Sequence, residues 1–248
     1  MEINHNIAEY YDELYPVTEE QKVFYQKRMI SFKKPVKFLR VGCGSGSFEH
    51  NLAREGSDVT GIETSHELIE IANRRHRTQI MSVRYFEMSP LEMSRFLGKG
   101  FYNIISILNG RIILNHDSTL MSKFFYDCRQ LVSDKGLLIV ELANFARFDS
   151  SDGFGGSDRF EFPIRESIRS CLNTVIEKKA EQFFLEQTLT YSDGKKICVT
   201  KDAPVYPLKP SEIEKFALES GFSRVEFFSD FAEHPFSEKS LRVLAVIS

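Results

Sequence analysis

From Val36 onward, short apolar runs alternate with longer stretches in which apolar side chains recur every third or fourth position. Period-two runs read as strands and period-3.6 stretches as helices. Strands are predicted over residues 36–41, 58–62, 80–86, 102–108 and 137–142, with helices over 48–55, 66–77, 90–97 and 119–132. Strands alternating with helices on this spacing imply a parallel sheet wound by right-handed crossovers, which places a ligand at the carboxyl ends of the strands, near the point where strand order reverses.

Either side of this core the pattern changes. Residues 4–31 read as a helical cap: Ile7, Tyr10, Tyr11 and Leu14 share one face, Pro16 interrupts it, and Val23, Phe24, Met29 and Ile30 mark a second amphipathic piece. After Asn144 the alternation stops. Residues 148–157, with Gly153, Gly155 and Gly156, read as a mobile loop, and extended stretches follow over 159–165, 167–178, 181–191 and 195–206. Ser192-Asp193-Gly194-Lys195 is a hairpin signal, so this region is expected to form an antiparallel β insertion. A helix over 211–220, closed by Gly221, and strands over 223–229 and 241–247 end the chain.

Composition narrows the class. With 248 residues, 42% hydrophobic and 27% charged, the chain is expected to build one domain: a cap (1–34), a core (35–147), an insertion over the site (148–208) and a C-terminal helix with two strands (209–248). A formal net charge of -3 supplies no global basic field, so no nucleic-acid partner is expected. Cysteines 43, 128, 171 and 198 form no CxxC pair and no His joins them at ligand spacing, so reduced thiols and no metal site are expected. Acidic and amide residues stand where a signal peptide needs basic then apolar ones, and no run approaches the roughly 20 apolar residues of a membrane span. A cytoplasmic protein without a membrane partner is the expectation.

The chemistry centres on Phe38-Leu39-Arg40-Val41-Gly42-Cys43-Gly44-Ser45-Gly46-Ser47, a strand that collapses into three glycines before a helix. Such a turn lets a ligand approach main-chain N–H groups unobstructed. The dinucleotide spacing GxGxxG would need a small third residue at Ser47; the glycines satisfy GxGxG instead, which disfavours NAD(P) and an oxidoreductase. Glu63, ending the second strand, is placed to accept ribose hydroxyls in either class.

Turn, second-strand acid, Tyr85-Phe86-Glu87-Met88, Ile107-Leu108-Asn109-Gly110 and the tail from Gly221-Phe222 through Pro235-Phe236 together resemble the class I S-adenosylmethionine-dependent methyltransferases, and a small-molecule subgroup that also carries a stretch like Tyr11-Asp12-Glu13-Leu14-Tyr15-Pro16. The resemblance implies a Rossmann-like seven-stranded sheet, mostly parallel with the last strand antiparallel. It also implies S-adenosylmethionine as cofactor, S-adenosylhomocysteine as product, and in-line methyl transfer to a small molecule. Gly42, Gly44 and Gly46 would line the methionine part, Glu63 would hold the ribose, Glu87 and Met88 would flank the adenine and Asn109 would lie near the methionyl end, with Arg40, Cys43 and Thr64 also at the cofactor. Tyr11, Tyr15, Arg111, His116 and Tyr206 are candidates to touch the acceptor, and no catalytic base is assigned.

Arg40 departs from the family, which usually has an acid there to position the cofactor's ammonium group. A cation at that spot repels an ammonium. Three readings stay open: Arg40 turns away to pair with Glu63 or Glu141; the site is degenerate and the protein a non-catalytic scaffold; or the cofactor carries an extra carboxylate. In a thermal-shift panel, S-adenosylmethionine and S-adenosylhomocysteine are expected to stabilise the protein and NAD and NADP to leave it unchanged; stabilisation by NAD alone overturns the assignment.

Overall fold

The computed structural model describes residues 7–76, 82–148 and 158–248. Seven strands build the main sheet: β1 (Lys37–Val41), β2 (Asp58–Glu63), β3 (Val83–Glu87), β4 (Tyr102–Ile107), β5 (Val132–Ala143), and, from the end of the chain, β11 (Val225–Phe228) and β12 (Arg242–Ile247). Their order is β11-β12-β5-β4-β1-β2-β3. β12 runs antiparallel to both its neighbours, while β1 to β5 pair in parallel. Strand order reverses between β1 and β4.

Alternation along the strands explains why helices cover both faces. Leu39 and Val41 of β1 pack with Ile105, Ile107, Leu138 and Val140 against α6 (Ser118–Leu131) and α7 (Pro210–Glu219), through Phe124, Phe125 and Phe216. Phe38 turns to the other face with Ile104 and Ile139. It meets Tyr25 of α2 (Glu19–Met29) and Phe48 of α3 (Ser47–Arg54), with ring centres 5.4 and 6.2 Å away. Arg40, two residues on, is carried to this second face.

α4 (His66–His76) and α5 (Met93–Phe96) complete the crossovers. The stretch expected as one helix over 90–97 is a 3-10 turn, Pro90–Glu92, followed by the single turn of α5. The predicted strand at 137–142 begins at Val132, with Lys135 at φ +60° and an irregular register against β4 between Val132 and Leu137. The cap is shorter than expected: a 3-10 turn, Ala8–Tyr10, and α1 (Tyr11–Leu14), then α2 after Pro16, with the Thr18 side chain capping Gln21 N–H at 3.2 Å. The loop expected over 148–157 lies outside the described residues except for Phe148, which ends a 3-10 turn, and so do the predicted ends at Arg77 and Ile80.

The insertion is a second, antiparallel sheet of β6 (Arg159–Glu161), β7 (Arg165–Glu166), β8 (Ser170–Lys179), β9 (Gln182–Tyr191) and β10 (Lys196–Val205). The stretch expected as one strand over 159–165 is split into β6 and β7, with Pro163, which has no N–H to donate, between them. The cap is wedged between this sheet and α4: Ile7, Tyr11 and Leu14 pack with Leu68 and Ile71 on one side and Leu172 and Leu189 on the other. Among the described residues no helix is long and apolar enough to cross a membrane.

Phe38 is fully buried between the rings of Tyr25 and Phe48. Phe38→Ala is expected to lower the free energy of unfolding by about 3–5 kcal/mol, read from urea denaturation, because the strand and two helices cannot close over the void.

Candidate active site

Two cavities open at the carboxyl ends of β1, β4 and β5, where strand order reverses. The larger, about 630 Å3, lies between the cap, the ends of β4 and β5, and the insertion. The smaller, about 210 Å3, lies between the cap and the glycine turn. Tyr11, Tyr15, Asn109, Glu141, Arg165 and Arg242 line both.

The glycine turn is fixed by the end of β2. Gly42 and Cys43 donate their N–H groups to the Ile62 carbonyl at 2.8 and 3.0 Å. The buried Glu63 carboxylate accepts from Gly44 N at 3.2 Å, Thr64 N at 2.8 Å and Ser65 N at 3.3 Å. Arg111 brings its Nη2 to 3.3 Å from the same carboxylate. Burial works against the Arg111 cation, but Glu63 together with the Tyr11 and Tyr15 phenols outweighs that and holds the proton more firmly than usual.

The cap closes on this turn through consecutive side chains. The Tyr11 ring lies against Gly44, whose φ is +58°: a Cβ there would stand 2.2 Å from the ring. Burial pushes the Tyr11 phenol up to about 12, with Arg111 opposing the rise. Asp12 accepts hydrogen bonds from the hydroxyls of Ser45 and Ser47, the latter at 2.7 Å, at the N-terminus of α3 where negative charge is favoured. Tyr15 stacks on Tyr11 at 4.8 Å.

Arg40 pairs with neither Glu63 nor Glu141. Its Nε lies 3.5 Å from Glu49 Oε1 of α3, and its Nη1 lies 3.5 Å from Ser106 Oγ. Alternation along β1 points Arg40 at α3, while Glu63 is engaged with the turn amides and Arg111, and Glu141 with Asn109 N–H at 2.6 Å and Arg242 at 3.3 Å. Both partners are buried, and neither oxygen of Glu49 is hydrogen-bonded within the described residues. Burial raises Glu49 from 4.5 to about 7, with Arg40 opposing the rise.

At the end of β4, Asn109 adopts φ +58° and Gly110 +69°. Asparagine tolerates the left-handed conformation better than most residues. Glu141 holds both: its carboxylate takes Asn109 N–H and its carbonyl takes Gly110 N–H at 3.0 Å.

The glycine turn, its second-strand acid and the strand order agree with the comparisons. A family model described as a methyltransferase domain matches residues 38–136. A putative methyltransferase of Geobacillus sp. (strain WCH70) is 24% identical over 90% of this chain and 89% of its own. The CcbJ methyltransferase from Streptomyces caelestis superposes with a TM-score of 0.77, at 17% identity over 97% of this chain and 95% of its own. The chain matches a methyltransferase domain over residues 38–136 and has the fold of solved S-adenosylmethionine-dependent methyltransferases. The solved relatives include the S-adenosylmethionine-bound CalS10, an amino pentose methyltransferase from Micromonospora echinaspora, with a TM-score of 0.68, 12% identity and coverage of 100% of this chain and 98% of its own.

The fold brings together only some of the residues singled out by sequence. Arg40, Cys43, Asn109, Tyr11 and Tyr15 line the small cavity, and Asn109, Arg111, Tyr11 and Tyr15 the large one. Gly42, Gly44 and Gly46 form the turn beside them, and Thr64 donates its N–H to Glu63. Met88 N–H bonds the Glu63 carbonyl at 3.0 Å, which keeps Met88 next to the second-strand acid. Glu87 is exposed and pairs with His66 at 2.7 Å, a contact that raises the imidazole's proton affinity. His116 and Tyr206 lie elsewhere, on a separate cavity of about 290 Å3, with Tyr206 donating to Glu212. Asp117, next to His116, caps α6 by accepting from Leu120 N at 2.8 Å, as a helix-start cluster does.

The sequence reading did not single out Glu49, Arg165 or Arg242, and it considered Glu141 only as a partner for Arg40. Glu49 was recoverable: an acid one helical turn into α3 faces the strand that carries Arg40. Arg165 and Arg242 carried no local signal.

The donor set fits an adenosine cofactor. A glycine turn with left-handed positions offers amide N–H groups, and a buried carboxylate stands at the end of the neighbouring strand. Glu49 supplies the sharpest stability test. Between pH 4.5 and 7 the folded protein keeps a proton on Glu49 that the unfolded chain has released, so the stability tied to this group is complete below 4.5 and lost as pH rises through about 7. Urea denaturation from pH 4.5 to 8 is expected to show the wild type losing on the order of 3 kcal/mol relative to Glu49→Gln.

Proposed function

We propose that this protein is an S-adenosylmethionine-dependent methyltransferase that acts on a small-molecule acceptor held in the larger cavity. The observation that carries the reading is the position of that cavity: it meets the smaller one at Tyr11, Asn109 and Glu141, next to the glycine turn and directly under the cap. About 630 Å3 suits a small molecule, within the range of roughly 300–1,000 Å3 common for ligand pockets. That solved relatives with this fold include an amino pentose methyltransferase supports the same substrate scale.

Glu63 would hold the ribose hydroxyls, the amides of Gly42, Gly44 and Gly46 would face the methionine part, and Met88 would flank the adenine. Bound there, S-adenosylmethionine supplies an activated methyl group together with its own leaving group. The chain's tasks are to orient the acceptor in line with that methyl group and to exclude water. Tyr11 and Tyr15 roof the junction, Phe160, Phe162, Leu142 and Leu185 wall the large cavity with apolar surface, and Glu141 fixes the Asn109-Gly110 turn between the two.

The contacts of Arg111 and Tyr11 assign them a further part. Arg111 occupies a lone pair on Glu63 that a ribose hydroxyl needs, and Tyr11 covers Gly44. Loading the site therefore requires both to give way: Tyr11 with the cap, and the Arg111 side chain on the 3-10 turn that follows β4. The pairing of Arg40 with Glu49 favours a working site over a degenerate scaffold, because above about pH 7, where Glu49 is ionised, the cation beside the turn has a counter-charge of its own.

Calorimetric titration with S-adenosylhomocysteine tests the reading. The wild type is expected to bind, and Glu63→Gln to bind on the order of tenfold more weakly, the loss that removing charge from one hydrogen-bond acceptor produces. No binding by the wild type overturns the proposal.

A further inference from the structure

We propose that the acceptor is a carboxylic acid, anchored through its carboxylate on the guanidinium of Arg165; this deepens the methyl-transfer reading and rests on it. Several charges around the large cavity are paired within the protein. Arg111 is met by Glu63 at 3.3 Å, Arg242 by Glu141 at 3.3 Å, and Glu161 by Arg159 at 3.0 Å. Arg165 lines both cavities and has no carboxylate within ion-pair distance among the described residues.

Its setting favours recognition over random exposure. Arg165 sits on β7, the two-residue strand paired to β8 through Leu172, and is half-buried. The guanidinium carbon stands 4.4 Å from the centre of the Tyr15 ring. Stacking on a ring uses the face of a guanidinium and leaves its in-plane N–H groups for another partner. Tyr15 belongs to the cap, so the same contact ties the cation to the roof of the site. Gln187 and Thr174 of the wall are engaged with each other at 3.2 Å, and Gln187 also accepts from Thr200 at 3.2 Å.

Charge and shape then select the ligand. The Arg165 cation matches one negative charge; a phosphate dianion would bring a second charge into a largely apolar cavity. A planar fork of donors matches a planar carboxylate in two parallel hydrogen bonds. The apolar wall of Phe160, Phe162 and Leu185 accepts the rest of the molecule, so the ligand class is an aryl or alkyl carboxylic acid.

The probes are 3-phenylpropanoate and 3-phenylpropanamide, which share size and shape and differ in charge. Each is titrated calorimetrically into the wild type, Arg165→Gln and Arg165→Lys, with and without S-adenosylhomocysteine. The acid is expected to bind the wild type about tenfold more tightly than the amide, the scale of a charge-assisted bidentate pair. Arg165→Gln is expected to erase that preference and Arg165→Lys to restore part of it, both with unchanged S-adenosylhomocysteine affinity. Equal binding of acid and amide by the wild type overturns the proposal, and so does a preference that survives in Arg165→Gln. Weakened S-adenosylhomocysteine binding in Arg165→Gln, with no acid preference in the wild type, puts the guanidinium on the cofactor and overturns it as well. Failure of the wild type to bind S-adenosylhomocysteine sinks the methyl-transfer reading separately, because the acid-against-amide comparison is also read without it.

Discussion

The site depends on one buried carboxylate. Glu63 ends β2 with its side chain turned back across the glycine turn, accepting N–H groups from Gly44, Thr64 and Ser65. Isolated, a buried carboxylate would be costly; three amide donors and the Arg111 cation offset that cost and make the arrangement rigid. The turn is thereby tied to the neighbouring strand, and the shape of the cradle follows from it. Whatever binds against the turn must negotiate with the same carboxylate.

A second constraint comes from the cap. Tyr11, Asp12 and Tyr15 reach the turn, the N-terminus of α3 and the insertion, while Ile7 and Leu14 fill the seam between α4 and the second sheet. Glu13 adds an ion pair to Arg169 from the opposite side. A short segment thus closes the site and couples the insertion to the core.

Arg40 shows how a local reversal of charge is absorbed. A cation beside the glycine turn looks hostile to an ammonium-bearing ligand when only β1 is considered. In the folded chain it faces α3, where Glu49 meets it below the ring of Phe48, whose centre is 5.7 Å from the guanidinium carbon. The pair is imperfect: the oxygens of Glu49 lack hydrogen bonds, and its proton affinity rises accordingly. Such a pair compensates charge more than it adds stability.

The sequence by itself determined the sheet, because period-two apolar runs separated by helical stretches can bury their surface in few ways, and β1 to β5 appear within a few residues of where the pattern puts them. It also determined the glycine turn, the acid at Glu63 and the Asn109-Gly110 turn, all of which depend on residues next to one another or at strand ends. The tertiary structure alone decided the partners of the charges. Arg40 is nine residues from Glu49 yet opposite it, Arg111 reaches back to Glu63, and Arg165 arrives beside Tyr15 from the insertion. It separated His116 and Tyr206 from the site for the same reason: which side chains share a cavity is set by the packing of one sheet on another, and no periodicity along the chain encodes that distance.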